Sequence, residues 1–240
     1  MTLRLHVDGP LAAGTALALP ETAARHVQVR RLQPGDALRL FDGQGREHEA
    51  RVASMGRREV SVTVGPAVAP VPELPVAVTL AVGVPANERM DTLVEKATEL
   101  GVAAIQPLEC ERSVLRLAGE RATRRREHWQ AVAAAASEQC GRAVVPPVAL
   151  PRRVDDWLAA LPAQGLRLVL SLADDAAPWP QVAVRAAGPV LALSGPEGGL
   201  TPQEETAARA AGFRPVSLGP RVLRADTAPL ALLATISLAG

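Results

Sequence analysis

Two loops near the C-terminal end of the chain hold the residues best suited to chemistry. The first, residues 195–199, reads Gly-Pro-Glu-Gly-Gly and follows an apolar run. The second, residues 218–227, contains Arg221, Arg224 and Asp226 and also carries a glycine. Glycine permits positive φ angles and lets the backbone approach a bound molecule closely. Two such loops so close together in the chain predict a ligand that is bound largely by backbone groups.

A helix is expected to begin directly after the first loop. Thr201 is a suitable N-cap, Pro202 suits the first helical position, and Glu204 completes a capping box. The first loop therefore joins a buried strand to a helix N-terminus, where backbone N–H groups point at a ligand. A tight turn that binds nothing is the alternative on the local pattern alone.

The common nucleotide-binding motifs are missing from the chain. There is no G-x-x-x-x-G-K-[ST] sequence, which excludes a P-loop NTPase, and no G-x-G-x-x-G sequence follows the first strand of the α/β region. Glu197, inside the first loop, would also repel a phosphate. A ligand with positive or neutral groups, or an RNA base that donates hydrogen bonds, suits this loop better.

The second loop places two arginines among apolar residues. Arg221 and Arg224 could form surface salt bridges, but residues 228–239 after them contain no charged side chain. A helix that is apolar all round is expected to be buried on all sides, in a core or a subunit interface. Asp226 or Thr227 is the expected cap of this helix.

The order of the elements predicts two domains, with a boundary in a proline-rich linker at residues 66–75. Residues 1–65 are β-rich, with a hairpin at the Asp42-Gly43 turn and a period-two strand over residues 59–64. From residue 76 onward strands alternate with helices, which predicts an α/β fold with a parallel sheet and a ligand beyond the carboxyl ends of its strands. The expected strands lie near residues 76–84, 103–108, 167–172 and 189–193, and the expected helices near residues 90–100, 120–140, 151–161, 202–211 and 226–239.

Composition narrows the class of protein further. The net charge is +1 and aromatic residues make up 2% of the chain, so neither a globally basic surface nor an aromatic base-stacking surface is expected. Cys110 and Cys140 are too few for a zinc site or a disulfide framework, and no metal is expected. No apolar run is long enough to cross a membrane and no signal peptide is present, so we expect a soluble cytoplasmic protein.

The motifs of the chain resemble those of the RsmE family, SPOUT-class methyltransferases that act on small-subunit ribosomal RNA. The two loops match its C-terminal signature, Gly-Pro-Glu-Gly-Gly and Leu-Gly-x-Arg-Val-Leu-Arg-x-acid-Thr-Ala. Further matches in order along the chain are His26, Arg31-Leu32, Gly35-Asp36, Phe41-Asp42-Gly43, Glu88-Arg89, Glu95-Lys96, Glu111-Arg112-Ser113 and Glu138-Gln139-Cys140-Gly141-Arg142. Three positions depart from the family pattern: Asp226 stands in place of glutamate, Ala86 in place of a common lysine, and Pro229 is unusual in the last helix.

The resemblance implies a fold and a cofactor. It implies a PUA-like RNA-binding β-barrel over residues 1–70 and a SPOUT domain with a C-terminal trefoil knot over residues 76–240. The cofactor is S-adenosylmethionine, held by backbone groups of the first loop and by apolar walls. The residues it assigns to cofactor binding are Leu170, Leu193, Ser194, Gly195, Pro196, Glu197, Gly198, Gly199, Leu218, Gly219, Leu223, Arg224 and Thr227.

The same resemblance implies methylation of N3 of a uridine in 16S ribosomal RNA. Arg221 or Arg224 could donate to a uracil carbonyl, and Asp226 could take the N3 proton, although a capping role for Asp226 is equally open. Lys96 could form a salt bridge with Glu99 or Glu111 as readily as take part in catalysis. The expected RNA contacts are Arg30, Arg31, Arg57 and Arg58 in the barrel, and Arg112, Arg124, Arg125 and Arg142 beyond it, with a solvated helix face as the alternative for the basic segment around Arg124.

Two other functions stay open at this point. One is a SPOUT methyltransferase that acts on another RNA or another base, because the cofactor motifs would be shared. The other is a non-catalytic RNA-binding or ribosome-assembly protein that has kept the fold. The expected partners are ribosomal RNA or the small ribosomal subunit and a second copy of the chain, because the resemblance and the apolar last helix both favour a homodimer.

Overall fold

The structure is a computed structural model, and it describes residues 2–57, 59–86, 89–162, 165–183 and 188–239. These residues form two compact units, which we describe separately. Unit 1 contains Met1–Glu73 and Ala134–Val145, and unit 2 contains Leu74–Ala133 and Pro146–Gly240.

Unit 1 is built on a five-stranded sheet. In chain order its elements are β1 (Leu3–His6), β2 (Ala16–Ala18), α1 (Glu21–Val29), β3 (Ala37–Phe41), β4 (Glu47–Met55) and β5 (Val60–Val68). The strand order is β1-β3-β4-β5-β2, with β1 parallel to β3 and the other pairs antiparallel. The hairpin expected at Asp42-Gly43 is confirmed as the β3–β4 connection. Asp42 accepts hydrogen bonds from the backbone N–H groups of Gln44 and Arg46, which hold this turn closed.

The sequence pattern missed two features of unit 1. Helix α1 buries Ala23, Ala24 and Val27 against the sheet, but its nine residues lie within a region that otherwise alternates as strands do. Strand β5 also runs past Pro66 to Val68, where Ala67 and Val68 still pair with β4. The linker therefore begins later than the first proline indicates.

Unit 2 is a seven-stranded, entirely parallel sheet with helices. Its strands are β6 (Val78–Gly83), β7 (Ala104–Glu109), β8 (Arg152–Arg153), β9 (Leu166–Leu170), β10 (Ala177–Pro178), β11 (Val190–Ser194) and β12 (Arg214–Ser217). Its helices are α2 (Arg89–Glu99), α3 (Gly119–Cys140), α4 (Val154–Ala159), α5 (Trp179–Ala183), α6 (Pro202–Ala210) and α7 (Thr227–Ala239). The parallel α/β sheet and the main strands and helices are confirmed, whereas β12, α5 and the short strands β8 and β10 had no clear sequence signal.

The strand order of unit 2 places the C-terminal segment inside the sheet. The order is β10-β12-β9-β11-β6-β7-β8, so β12 lies between β9 and β10, two strands that precede it in the chain. This position accords with the trefoil knot that the resemblance implies. Because all strands are parallel, the loops after β6, β9, β11 and β12 leave the same edge of the sheet.

The end of α3 belongs with unit 1, although the sequence boundary assigned all residues from 76 onward to the second domain. Arg4, on β1, donates from its guanidinium to the carbonyl oxygens of Ser137, Glu138 and Arg142. It also forms an ion pair with Glu47 on β4 at 3.0 Å. A strand arginine that satisfies the last carbonyls of a distant helix is a long-range contact, which local patterns do not reveal.

Within the single chain, helix α7 is buried on one side only, and burial of its other side in a subunit interface stays a prediction. It packs on α2, β6 and β11, and Leu232 and Leu233 are fully buried. Leu238, in contrast, is 87% exposed. Among the described helices, none is both long enough and apolar enough to cross a membrane.

Candidate active site

A cleft of about 700 Å³ opens at the carboxyl edge of the unit 2 sheet. It is formed mainly by the loops after β9, β11 and β12, where ligands of parallel sheets normally bind. Its volume lies within the range of about 300–1,000 Å³ that is usual for small-molecule sites. The cleft is lined by Arg89, Arg112, Leu170–Ala173, Ser194–Leu200, Glu205, Val216, Leu218, Gly219, Arg221–Ala225 and Ala228.

Eleven of the expected cofactor residues line this cleft and two do not. The lining includes Leu170, Ser194–Gly199, Leu218, Gly219, Leu223 and Arg224. Leu193 is fully buried within β11, where it belongs to the same hydrophobic cluster as Ala81 and Val169. Thr227 is the exposed first residue of α7 and lies outside the cleft lining.

The backbone of the two loops leaves room for a ligand at two glycines. Gly199 has a φ of +69° and Gly219 a φ of +117°, values that side-chain-bearing residues rarely adopt. At both positions the place of a missing Cβ has no protein atom within 4 Å. The cleft therefore presents open backbone at both loops, which fits a cofactor held by backbone groups and apolar walls.

The helix start after the first loop is the capping box that the sequence predicts. Glu204 donates its backbone N–H to the Thr201 hydroxyl, and its side chain accepts from the backbone N–H of Thr201 at 2.8 Å. The other oxygen of the same carboxylate accepts from the backbone N–H of Glu111 at 2.7 Å. Glu204 thus joins the N-terminus of α6 to the loop after β7.

Arg112 lies against the first loop, although it was expected to contact RNA. Its Nη1 donates to the carbonyl oxygen of Gly198 at 2.8 Å and to that of Leu200 at 3.4 Å. The contact joins two segments far apart in the chain, so the sequence offered no signal for it.

Glu197 is tied to the loop after β6. Its Oε1 accepts from the backbone N–H of Ala86 at 2.9 Å and lies 3.5 Å from Nη1 of Arg89. Position 86 is one of the three departures from the family pattern, but its hydrogen bond to Glu197 comes from the backbone N–H, which does not depend on the side chain. The neighbouring Glu88 lies outside the described residues.

A second pair of residues, missed by sequence reasoning, braces the loop after β9. The Ser171 hydroxyl donates to Glu205 at 2.8 Å, and both residues line the cleft. Arg209 then bridges Glu205 and Asp175, and its hydrogen bonds lower the pKa of the Asp175 carboxyl. The only signal in the sequence was the position of Glu205 in the first turn of the predicted helix.

The second loop is much less constrained. Arg221 and Arg224 are exposed and make no side-chain hydrogen bond or ion pair to any residue that the structure describes. Asp226 is half-buried, and its Oδ1 is buried without a hydrogen-bond partner among the described residues. The backbone N–H groups of Thr227 and Ala228 bond to the Arg224 carbonyl, so Asp226 is not needed to satisfy them.

Cys110 and Lys96 have surroundings in the structure that shift the pKa of each side chain upward. Burial, assisted by the nearby charge of Glu204, raises the pKa of the Cys110 thiol to about 12, which keeps it protonated and unreactive at neutral pH. Lys96 pairs with Glu95 at 2.7 Å and with Glu99 at 2.8 Å, and these hydrogen bonds raise its pKa. Glu99, one of the two partners expected for Lys96, therefore forms an ion pair with it, and the Lys96 ammonium group stays charged.

The arginines expected to contact RNA fall into different environments. Arg30 and Arg31 are exposed at the end of α1, and Gln28 of the same helix donates to the carbonyls of Gly56 and Arg57. Arg58 lies outside the described residues. On α3, Arg125 is exposed and Arg124 lies 3.7 Å from Glu120.

Arg142 is a correction to the expected RNA surface. It is 6% exposed and forms an ion pair with Glu73 inside unit 1. This guanidinium is buried and paired with Glu73, so it is not presented to a phosphate. The described residues hold no group of three or more His, Cys, Asp or Glu side chains arranged to bind a metal ion.

The chain matches two family models in order. Residues 72–237 match an RNA methyltransferase domain, and residues 19–65 match an RNA methyltransferase PUA domain. The first match alone covers more than half of the chain.

Relatives and solved structures match along most of the chain. Ribosomal RNA small subunit methyltransferase E of Synechocystis is 33% identical over 99% of this chain and 78% of its own length. The enzyme of the same name from Mycobacterium bovis is 35% identical over 87% of this chain and 80% of its own length. The crystal structure of ribosomal RNA small subunit methyltransferase E from Neisseria gonorrhoeae bound to S-adenosyl methionine is 36% identical, with a TM-score of 0.94, and the match covers 100% of this chain and 98% of that one.

These matches confirm the family that the sequence motifs indicated. The domain match covers more than half of the chain, and the identities above 30% extend over most of the chain and of its relatives. The chain therefore belongs to the ribosomal RNA small subunit methyltransferase E family, a family of RNA methyltransferases.

Proposed function

We propose that the protein transfers a methyl group from S-adenosylmethionine to N3 of one uridine in small-subunit ribosomal RNA. The observation that carries the proposal is the cleft at the sheet edge, which is lined by the braced glycine loop and by Arg221 and Arg224 of the second loop, whose side chains have no partner among the described residues. The family relatives named above support the same reaction class.

The cofactor would lie between the two loops. Leu170, Leu218 and Leu223 would supply apolar walls, and the open backbone at Gly199 and Gly219 would face the ligand. When bound, S-adenosylmethionine supplies an electrophilic methyl group on a positively charged sulfur. The Neisseria gonorrhoeae structure, described as bound to this molecule, supports the assignment through its near-complete match to this chain.

The residues of the second loop would act on the uracil. N3 must lose its proton before or during methyl transfer, and negative charge then develops on the neighbouring carbonyl oxygens. Arg221 and Arg224, which have no side-chain partner among the described residues, can donate to these oxygens and stabilise that charge. Asp226 follows the lining residue Ala225 but does not itself line the cleft, so substrate binding must open access to its buried Oδ1, which has no hydrogen bond to give up among the described residues, before it can take the proton.

The RNA would be gripped at exposed arginines of both units. In unit 1 these are Arg30, Arg31 and Arg57, which lie at the end of α1 and at the tip of the β4–β5 hairpin. On α3 they are Arg124 and Arg125. A Watson–Crick N3 is hidden in a duplex, so the target uridine must be unpaired or extruded. We expect the protein to act in the cytoplasm, where this RNA is found.

The protein would act as a homodimer that covers the exposed side of α7. The helix has no charged residue, Leu238 near its end is 87% exposed, and Ile236 is half-buried. Light scattering after gel filtration should give twice the mass of 25.1 kDa. Leu238→Asp should shift the protein toward monomer, because it would bury an unpaired charge in such an interface.

The reaction is tested by methyl mapping of ribosomal RNA. Small-subunit RNA that lacks base methylation is incubated with the protein and isotopically labelled S-adenosylmethionine, and the product is digested and analysed by mass spectrometry. We expect one labelled methyl group, at N3 of one uridine. A label on another base or another RNA would support a different methyltransferase, and a protein that binds RNA but fails to bind S-adenosylmethionine in calorimetry would be a non-catalytic RNA-binding protein.

A further inference from the structure

We infer that Arg112 is a positioning residue for the cofactor site, which holds the glycine loop in its binding conformation and does not contact RNA phosphates. The inference rests on the proposed function, because it assigns the cofactor to that loop. It gives a role to the Glu111-Arg112-Ser113 motif, in which the sequence had assigned a function only to Arg112, as an RNA contact.

Arg112 contacts the loop with both parts of its side chain. The guanidinium donates from Nη1 to the carbonyl oxygens of Gly198 and Leu200. The aliphatic stem lies directly over Gly198, where a Cβ would come within 3.0 Å of the Arg112 Cβ and 3.2 Å of its Cδ. Gly198 does not have a positive φ, so the close packing of the Arg112 stem, and not backbone conformation, is what favours a glycine there.

These bonds lock two peptide groups of the loop at both ends. In the peptide between residues 198 and 199, the carbonyl binds Arg112 and the N–H of Gly199 donates to the Pro196 carbonyl at 2.8 Å. In the peptide between residues 200 and 201, the carbonyl binds Arg112 and the N–H of Thr201 donates to Glu204. A peptide plane held at both its donor and its acceptor cannot rotate without breaking a hydrogen bond, so Arg112 holds one end of each of these two peptide groups.

Arg112 is itself presented by a rigid turn. The backbone N–H of Cys110 donates to the Ser113 hydroxyl, and the N–H of Ser113 donates back to the Cys110 carbonyl. Arg116 donates to the carbonyls of Cys110 and Glu111, and Glu204 accepts from the Glu111 N–H. The same buried carboxylate therefore anchors both the turn that carries Arg112 and the helix that follows the loop.

A positioning role and a phosphate contact predict different measurements. Loss of a phosphate contact reduces the slope of log K against log salt by about 0.7–0.9, and it leaves cofactor affinity unchanged. Loss of a positioning contact weakens cofactor binding and leaves the salt slope unchanged. Removing the two hydrogen bonds to the loop is expected to weaken cofactor affinity about tenfold.

The experiment compares Arg112→Ala with Arg125→Ala. Arg125 is an exposed arginine on α3 that has no partner among the described residues. For each variant we would measure the dissociation constant and KM for S-adenosylmethionine, kcat, the melting temperature, and RNA affinity at several salt concentrations. Arg112→Ala should raise KM and the dissociation constant for the cofactor about tenfold, with kcat within about twofold and an unchanged RNA salt slope. Arg125→Ala should do the opposite, with a smaller salt slope and unchanged cofactor affinity.

Two further variants cover the case in which Arg112→Ala fails to fold. Arg112→Lys keeps a donor and the stem over Gly198, so it should keep cofactor affinity within about threefold of the wild type. Gly198→Ala changes no charge but pushes against the Arg112 stem, so it should raise the cofactor KM at an unchanged salt slope, and its effect should not add to that of Arg112→Ala.

The inference is overturned if wild-type cofactor affinity persists in Arg112→Ala and Gly198→Ala, or if Arg112→Ala reduces the RNA salt slope as Arg125→Ala does. Failure of the wild-type protein to bind S-adenosylmethionine would overturn the proposed function itself. The wild-type titration therefore separates the two failures.

Discussion

The two loops that form the cleft differ in how far the protein itself orders them. In the first loop, Gly198 and Leu200 are bonded to Arg112, Glu197 is bonded to the loop after β6, and Gly199 closes on Pro196. In the second loop, the described bonds run within the segment and to Ser217, and both arginine side chains are exposed without partners among the described residues.

This difference indicates that the two loops have different roles. A loop held by the protein before the ligand arrives costs little to order on binding, which favours affinity for a cofactor. Charged side chains that have no partner in the protein remain available to a substrate, and they act where charge develops during the reaction. We therefore expect changes in the first loop to alter cofactor affinity, and changes in the second loop to alter the rate.

The largest effect is expected at Asp226 in the second loop. Asp226→Asn keeps the shape of the side chain but removes its ability to take a proton, and general bases contribute about 10²–10⁴-fold to rates. We expect kcat to fall by about 10²-fold or more, with cofactor affinity within about twofold of the wild type. Single-turnover methyl transfer and calorimetry measure the two quantities, and a full rate in this variant would remove Asp226 from the chemistry.

A smaller effect, on affinity, is expected at Gly195 in the first loop. A Cβ at this position would lie 2.6 Å from the Leu200 backbone nitrogen and 2.8 Å from the Gly199 carbonyl carbon, so the loop must shift. Overpacking of about 1–3 kcal/mol corresponds to about a 5- to 150-fold loss of cofactor affinity in Gly195→Ala. Gly56→Ala, in the unit 1 hairpin, is the control and should bind the cofactor normally. Equal affinities in the two variants would contradict the ordered state of the first loop.

Arg221→Ala should have a more modest effect on the rate. An exposed charged hydrogen bond to the developing oxyanion contributes about 1.5 kcal/mol, which corresponds to about tenfold in kcat. Arg214, an exposed arginine at the start of β12, provides a matched control that should keep the wild-type rate. If Arg221→Ala changed cofactor affinity instead of kcat, the second loop would share the role of the first.

The smallest effect is expected at Asp175, which braces the loop after β9 through Arg209. The Arg209 hydrogen bonds lower the pKa of Asp175 below its usual value of 3.8, so the pair contributes above that pH and is lost as the pH falls through the lowered pKa. The carboxyl is exposed, so Asp175→Asn should reduce cofactor affinity less than about twofold at pH 7, and high salt should remove the difference. A tenfold loss would mean that the third loop of the cleft is as critical as the first.

Local patterns predicted much of the fold because they report local physics. The capping box at Thr201 and Glu204 and the hairpin at Asp42-Gly43 depend on residues only a few positions apart, and both are present. Helix α1 was missed although Ala23, Ala24 and Val27 have helical spacing, because it is short and lies in a region that otherwise alternates as strands do. Strand β12 was missed because it has only four residues and its burial depends on its pairing with β9. The exposed side of α7 could not be predicted either, because every residue of the helix is apolar or uncharged and its sequence does not indicate which face packs against the rest of the chain.

Within the site, the type of each residue was easier to predict than its partner. The sequence by itself determined that a glycine loop follows a buried strand, opens a capped helix and lies near a second loop with two arginines and an acid. Only the tertiary structure decided that Arg112 binds the loop, that Arg142 pairs with Glu73, that Leu193 is in the core, and that Ser171 and Glu205 reach the cleft. Backbone conformation is set largely by neighbours in the chain, whereas the partner of a long polar side chain is set by strand order and loop placement, which bring distant residues together.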